Sequence, residues 1–176
     1  MNMIKNGYFY FYGSSNPLSQ WHKVHFQENN IIYSFAEQYM MYAKALLFNN
    51  QEIAKKIITS NNPRDIKAFG RKVKNFDKEV WNANCKRIVY KGNYYKFNQN
   101  PVLKKYLIET KGLTLVEASP YDKIWGIGLS EEDPRAWDSN QWLGTNWLGI
   151  VLTRLRDDLI KKKKFNIEEN LKIVVM

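Results

Sequence analysis

Two groups of side chains in this sequence are spaced to do chemistry. In the first, Glu37 and Lys44 stand in a stretch whose periodicity predicts a helix over 34–49. At about 100° per residue, Phe35, Tyr39, Tyr42 and Leu46 form one apolar stripe. The opposite face, which should be polar, instead carries Met40, Met41 and Phe48 together with Glu37 and Lys44. A helix that is apolar nearly all round is buried, so the acid and the lysine sit among apolar neighbours, about 10 Å apart along the axis. That is too far for an i,i+4 ion pair but suits two groups lining one pocket. Burial and nearby charge would there shift a carboxylate's pKa. Plainer roles compete: Ser34-Phe35-Ala36-Glu37 fits a capping box in which Glu37 only serves the Ser34 N–H, and Lys44 could be a snorkelling stem.

In the second group, Glu117 closes a β-prone run and Asp122 follows in a loop, then Trp125, Gly126 and Gly128. Two carboxylates beside an aromatic face suit glycosidic chemistry. One stabilises an oxocarbenium-like transition state or activates water, and the other assists the leaving group. A tryptophan face stacks on a nucleobase, and glycine lets backbone approach a ligand. Here the competing reading makes Trp125 a core residue and Asp122 a turn residue.

Other chemistries lack their residues. There is no P-loop, G-x-S-x-G or H-E-x-x-H, and Gly126/Gly128 are not part of a dinucleotide fingerprint. One cysteine, Cys85, excludes an internal disulfide and a cysteine-based zinc site, and two histidines make a histidine-rich metal site implausible. A cysteine- or histidine-based metal site is therefore not expected. The opening residues lack the features of a secretory signal and no apolar run is long enough to span a membrane, so the expected setting is cytoplasmic and reducing.

The 176 residues carry 27 Lys plus Arg against 17 Asp plus Glu, a net charge of +10. Such a balance suits phosphate-bearing partners: nucleic acid, nucleotides or sugar phosphates. Asn-Lys-rich segments (IKNG, ENNI, FNNQ, SNNP) are equally what an A/T-rich genome produces. The densest run, Lys161 to Lys164, falls at a helix end, where cations complement the dipole.

These residues must be positioned by a mainly helical α+β domain with a few short strands. No repeat, linker or domain boundary is visible. The first thirty residues read as a short strand and a loop, and 26–33 as a hairpin around Asn29-Asn30. The helix opened by Ser34 is continued or followed by a stretch from Gln51 to Thr59. Asn62-Pro63 caps and starts a third, toward Lys74. Asp77 caps a fourth, through Trp81 and Ile88, and Asn100-Pro101 starts the next, ended by Gly112. Residues 113–118 are β-prone. After a Gly/Trp-rich loop, Leu148, Val151, Leu152, Leu155 and Leu159 make one apolar stripe on a last helix from about Trp147.

Several segments, in order, resemble the NADAR, or YbiA-like, family over residues 8–160. They are Glu37 to Ala45, Gly70-Arg71, Trp81, Lys96 to Asn100, Leu115 to Leu129 and Asn146 to Gly149. The resemblance implies a compact, mainly helical fold and a cofactor-free N-glycosidase. Members either cleave ribosylamino-pyrimidine phosphates of the riboflavin pathway or remove ADP-ribose from guanine in DNA. It assigns Glu37 and Asp122 to catalysis. It assigns Lys44, Trp125, Phe11, Gly13, Arg71, Glu117, Gly126, Asn146 and Arg156 to substrate binding, with the phosphate against Lys44, Arg71 or Arg156. Gln20 departs from the asparagine usual in the family's N-terminal loop, and Thr153 stands where methionine is common. The expected partner is a nucleotide-like substrate, with ADP-ribosylated nucleic acid favoured by charge, the riboflavin intermediates as the alternative, and a non-catalytic ADP-ribose or nucleic-acid binding module as the rival from another class.

Overall fold

The computed structural model describes residues 3–161, so Lys162 to Lys164 of the basic run lie outside the described residues. Residues 3–19 with 101–161 form one compact unit, and residues 20–100 form a second. The chain passes between them at Ser19-Gln20 and Asn100-Pro101, with no glycine- or serine-rich linker to mark the crossing.

In the first unit β1 (Met3–Lys5) pairs antiparallel with β2 (Tyr8–Phe11), and β2 pairs parallel with β5 (Thr114–Glu117). The β1–β2 turn is Asn6-Gly7, both at positive φ, as a two-residue type I′ hairpin requires. The sequence reading passed over this Asn-Gly signal. The parallel register sets Phe11 opposite Glu117 at the strand ends. A core of Tyr10, Val116, Ala118, Ile127, Leu129 and Ala136 packs on the sheet. Helix α5 (Pro101–Glu109) and helix α6 (Trp147–Ile160) complete the unit. Leu148, Val151, Leu152 and Leu155 of α6 are fully buried, each contributing about 1.5–3 kcal/mol.

In the second unit β3 (Phe26–Glu28) and β4 (Ile31–Tyr33) form the expected hairpin, with Asn29 and Asn30 at positive φ. Four helices follow: α1 (Ala36–Leu47), α2 (Gln51–Thr59), α3 (Pro63–Arg71) and α4 (Lys78–Asn98). The side chains of Asn50, Asn62 and Asp77 cap α2, α3 and α4. Helix α1 packs against all three, while Phe26, Tyr33 and Tyr39 make a stacked aromatic core under the hairpin.

Two expectations about α1 fail. The helix starts later than Ser34, with extended Phe35 as its N-cap and no capping side chain. Leu46, placed on the core stripe, is exposed. Burial is instead concentrated at the N-terminal half, where Ala36 through Met41 are all buried, because α2, α3 and α4 surround that end.

Candidate active site

The first turn of α1 is the most polar buried place in the second unit. Glu37 is 4% exposed. The capping box is not formed: the Ser34 N–H donates to Gln38 Oε1 at 2.8 Å. The following residue has taken the role because the helix begins at Ala36 rather than Phe35. Gln38 is further committed by donating to the carbonyls of Ile57 (3.1 Å) and Ser60 (3.0 Å), which clasps α1 to the end of α2. The Glu37 backbone N–H donates to the Gln20 carbonyl at 3.0 Å. Glu37 is thus a buried carboxylate at a helix N-terminus, where the dipole favours negative charge, and it is not spent on capping.

Two turns on, Lys44 is half-buried. Its Nζ donates to the Gly70 carbonyl at 2.9 Å and lies 4.4 Å from the Phe76 ring centroid and 5.4 Å from that of Trp81. Burial pushes its pKa below the ordinary lysine value, and the Glu37 charge works against that shift. The two charges therefore sense each other. Gly70 and Arg71 close α3, whose Arg64, Lys67 and Arg71 recur at a three-then-four spacing on one face. Arg64 and Arg71 are exposed, and Lys67 Nζ lies 5.9 Å from the Trp21 ring.

The first unit carries the other predicted residues. Asp122 Oδ1 accepts the backbone N–H groups of Ile124 (2.9 Å) and Trp125 (2.8 Å), so one carboxylate oxygen shapes the turn that presents Trp125. Trp125 is half-buried and meets Trp147 edge-on at 5.8 Å. At Gly126 a Cβ would lie 2.9 Å from the carbonyls of both Glu117 and Asp122, so only glycine lets this loop close on the strand end. Glu117 itself is half-buried at the end of β5.

Four predicted substrate-binding residues have structural occupations. Asn146, at positive φ, accepts from Glu117 N and donates to the Leu115 carbonyl, both at 3.0 Å, so its amide acts as a ladder partner for β5. Arg156 is 3% exposed; its guanidinium donates to the carbonyls of Thr110 (2.8 Å) and Leu113 and pairs with Asp157. Phe11 is 1% exposed in the sheet. Gly13, at positive φ, accepts the Asn16 N–H at 3.1 Å in the loop that follows. Cys85 is buried with its thiol pushed up by desolvation, as befits an inert core residue. Among the described residues no group of three or more His, Cys, Asp or Glu is placed to hold a metal ion. No helix among them is long and apolar enough to cross a membrane.

Sequence reasoning missed two buried polar features of α4. Lys96 is fully buried and desolvation lowers its pKa to about 7. Asn93, also fully buried, bonds to Gln20. Their signal was available. Cys85, Val89, Asn93 and Lys96 recur at helical spacing, so two polar residues occupy a buried stripe.

Known proteins are similar to this chain in sequence and in fold. N-glycosidase R617 of Acanthamoeba polyphaga mimivirus is 43% identical over 167 residues, covering 89% of this chain and 98% of that protein. The chloroplastic riboflavin biosynthesis protein PYRR of Arabidopsis thaliana is 30% identical over 122 residues, which is 67% of this chain but 18% of the plant protein. The NMR structure of the E. coli protein YbiA shares the fold with a TM-score of 0.73, covering 93% of this chain and 91% of that one at 21% identity. The NADAR domain model matches residues 8–160, a span that takes in every predicted site residue, and this chain therefore belongs to the NADAR domain family.

Proposed function

We propose that this chain is an N-glycosidase that hydrolyses a ribose C1–N bond and removes ADP-ribose from guanine in nucleic acid. The observation that carries the reading is Glu37, a carboxylate 4% exposed, released from capping and within electrostatic range of a half-buried lysine. A carboxylate held in low dielectric stabilises the positive charge that develops at C1 as the C–N bond breaks, and it orients the incoming water. Lys44 and Arg71 hold phosphate. The family resemblance gives Asp122 the assistance of the departing base and Trp125 the stacking on a flat ring. Similarity to a viral protein named as an N-glycosidase supports the reaction class.

The α3 face supports the nucleic-acid substrate. Arg64, Lys67 and Arg71 with the Trp21 ring combine phosphate-binding cations and a stacking surface. The test is release of ADP-ribose from a guanine-modified oligonucleotide over a salt series. Charge-reversed Arg64→Glu and Arg71→Glu variants should weaken binding and flatten the salt slope. A rate insensitive to both salt and these changes contradicts a nucleic-acid substrate.

A second reading, cleavage of ribosylamino-pyrimidine phosphates, has its own support in the similarity to a riboflavin biosynthesis protein. Turnover of the free pyrimidine phosphate with none of the oligonucleotide would select it.

A further inference from the structure

The segment next to Glu37 contains a second buried polar feature. Asn93, in the middle of α4, is 0% exposed, and Gln20, whose carbonyl receives the Glu37 N–H, is 6% exposed. Asn93 Nδ2 donates to the Val89 carbonyl and to Gln20 Oε1, both at 2.8 Å. This arrangement fixes which atoms are which. Only the nitrogen of Asn93 can face a carbonyl, so the Gln20 atom facing that nitrogen must be oxygen. Gln20 Nε2 and Asn93 Oδ1 are then a buried donor and a buried acceptor with no hydrogen-bond partner among the described residues. Leaving such a group unpaired is costly, and native interiors rarely tolerate it. The backbone here is closely packed, since a Cβ at the adjacent Gly92 would lie 2.5 Å from the Tyr39 ring of α1.

We propose that Gln20 and Asn93 form a hydroxyl-binding subsite beside Glu37. An O–H group both accepts and donates. It is therefore the complement of an amide N–H and an amide oxygen presented together, whereas a phosphate or a carboxylate would be repelled by Asn93 Oδ1. The group is either a hydroxyl of the substrate's ribose or the water that attacks C1. Gln20 is then a specificity-determining residue, and Asn93 holds its amide in orientation. The inference rests on the glycosidase reading given above.

The test compares wild type, Gln20→Met and Gln20→Asn on a ribosyl substrate and on its analogue lacking one ribose hydroxyl. If the subsite takes the sugar, Gln20→Met raises KM about tenfold to a hundredfold on the full substrate and barely on the matching deoxy analogue, and Gln20→Asn restores part of the loss. If it takes water, kcat falls by a similar factor on both substrates with KM unchanged. Equal kcat and KM for Gln20→Met and wild type on both substrates overturn the proposal, as does a loss of thermal stability alone. Should wild type cleave no ribosyl substrate, the glycosidase reading fails separately. The subsite is then judged in crystals soaked with ribose: an oxygen within hydrogen-bond distance of both Gln20 Nε2 and Asn93 Oδ1 upholds it, and an empty site overturns it.

Discussion

The first turn of α1 and the 117–128 loop both put polar groups among apolar neighbours, yet they use them differently. In the loop and at α6 of the same unit the polar atoms serve the backbone. Asp122 caps its own turn, Asn146 completes the edge of β5, and Arg156 collects the carbonyls after α5. In α1 that labour falls to Gln38, which bonds Ser34, Ile57 and Ser60, and the Ser34 cap does not fall to Glu37 beside it. Buried polar side chains are thus drawn into architecture according to whether the local backbone has orphan groups to satisfy.

The largest expected effect falls on the chemical side of this comparison. Glu37→Gln keeps shape and removes charge, so kcat should drop about a thousandfold while circular dichroism and thermal stability stay near wild type. Next comes the architectural side. Arg156→Met leaves the Thr110 and Leu113 carbonyls buried without their donor and should cost about 3 kcal/mol of unfolding free energy in urea. The folded fraction should keep wild-type KM, and a selective rise in KM would instead return Arg156 to phosphate binding.

Lys96 gives a pH test. Burial holds it at about 7, against an ordinary 10.5, so between these values the unfolded chain binds the extra proton. Stability should therefore rise with pH from 7 toward 9, by up to about 1.4 kcal/mol per pH unit, and be flat in this contribution below 7. Denaturant titrations of Lys96→Met should show that rise removed. The smallest effect is at Asp122, where Asn keeps the oxygen that caps the turn. Asp122→Asn should preserve stability and slow turnover about tenfold if the other oxygen assists departure; an unchanged rate would make Asp122 a turn residue and nothing more.

Most local signals were legible. Asn62-Pro63, Asp77 and Asn29-Asn30 act through neighbouring backbone, so spacing alone placed α3, α4 and the second hairpin. Parallel pairing of β2 with β5 was not legible, because it joins strands about a hundred residues apart and leaves no local pattern. Glu37 and Lys44 stood out because they broke an apolar helix. The exchange of the cap from Glu37 to Gln38 could not be read, since a one-residue shift in helix start decides it. Gln20 and Asn93 were hidden for a similar reason: their significance lies in a contact between a loop and a helix 73 residues away.

The most direct test of the account is hydrolysis by wild type and Glu37→Gln, side by side, of a guanine-ADP-ribosylated oligonucleotide and of a ribosylamino-pyrimidine phosphate. The account predicts that wild type releases ADP-ribose from the oligonucleotide, more slowly as salt rises, and that Glu37→Gln does not. Full turnover by the Glu37→Gln variant, or cleavage of neither substrate by wild type, would contradict it.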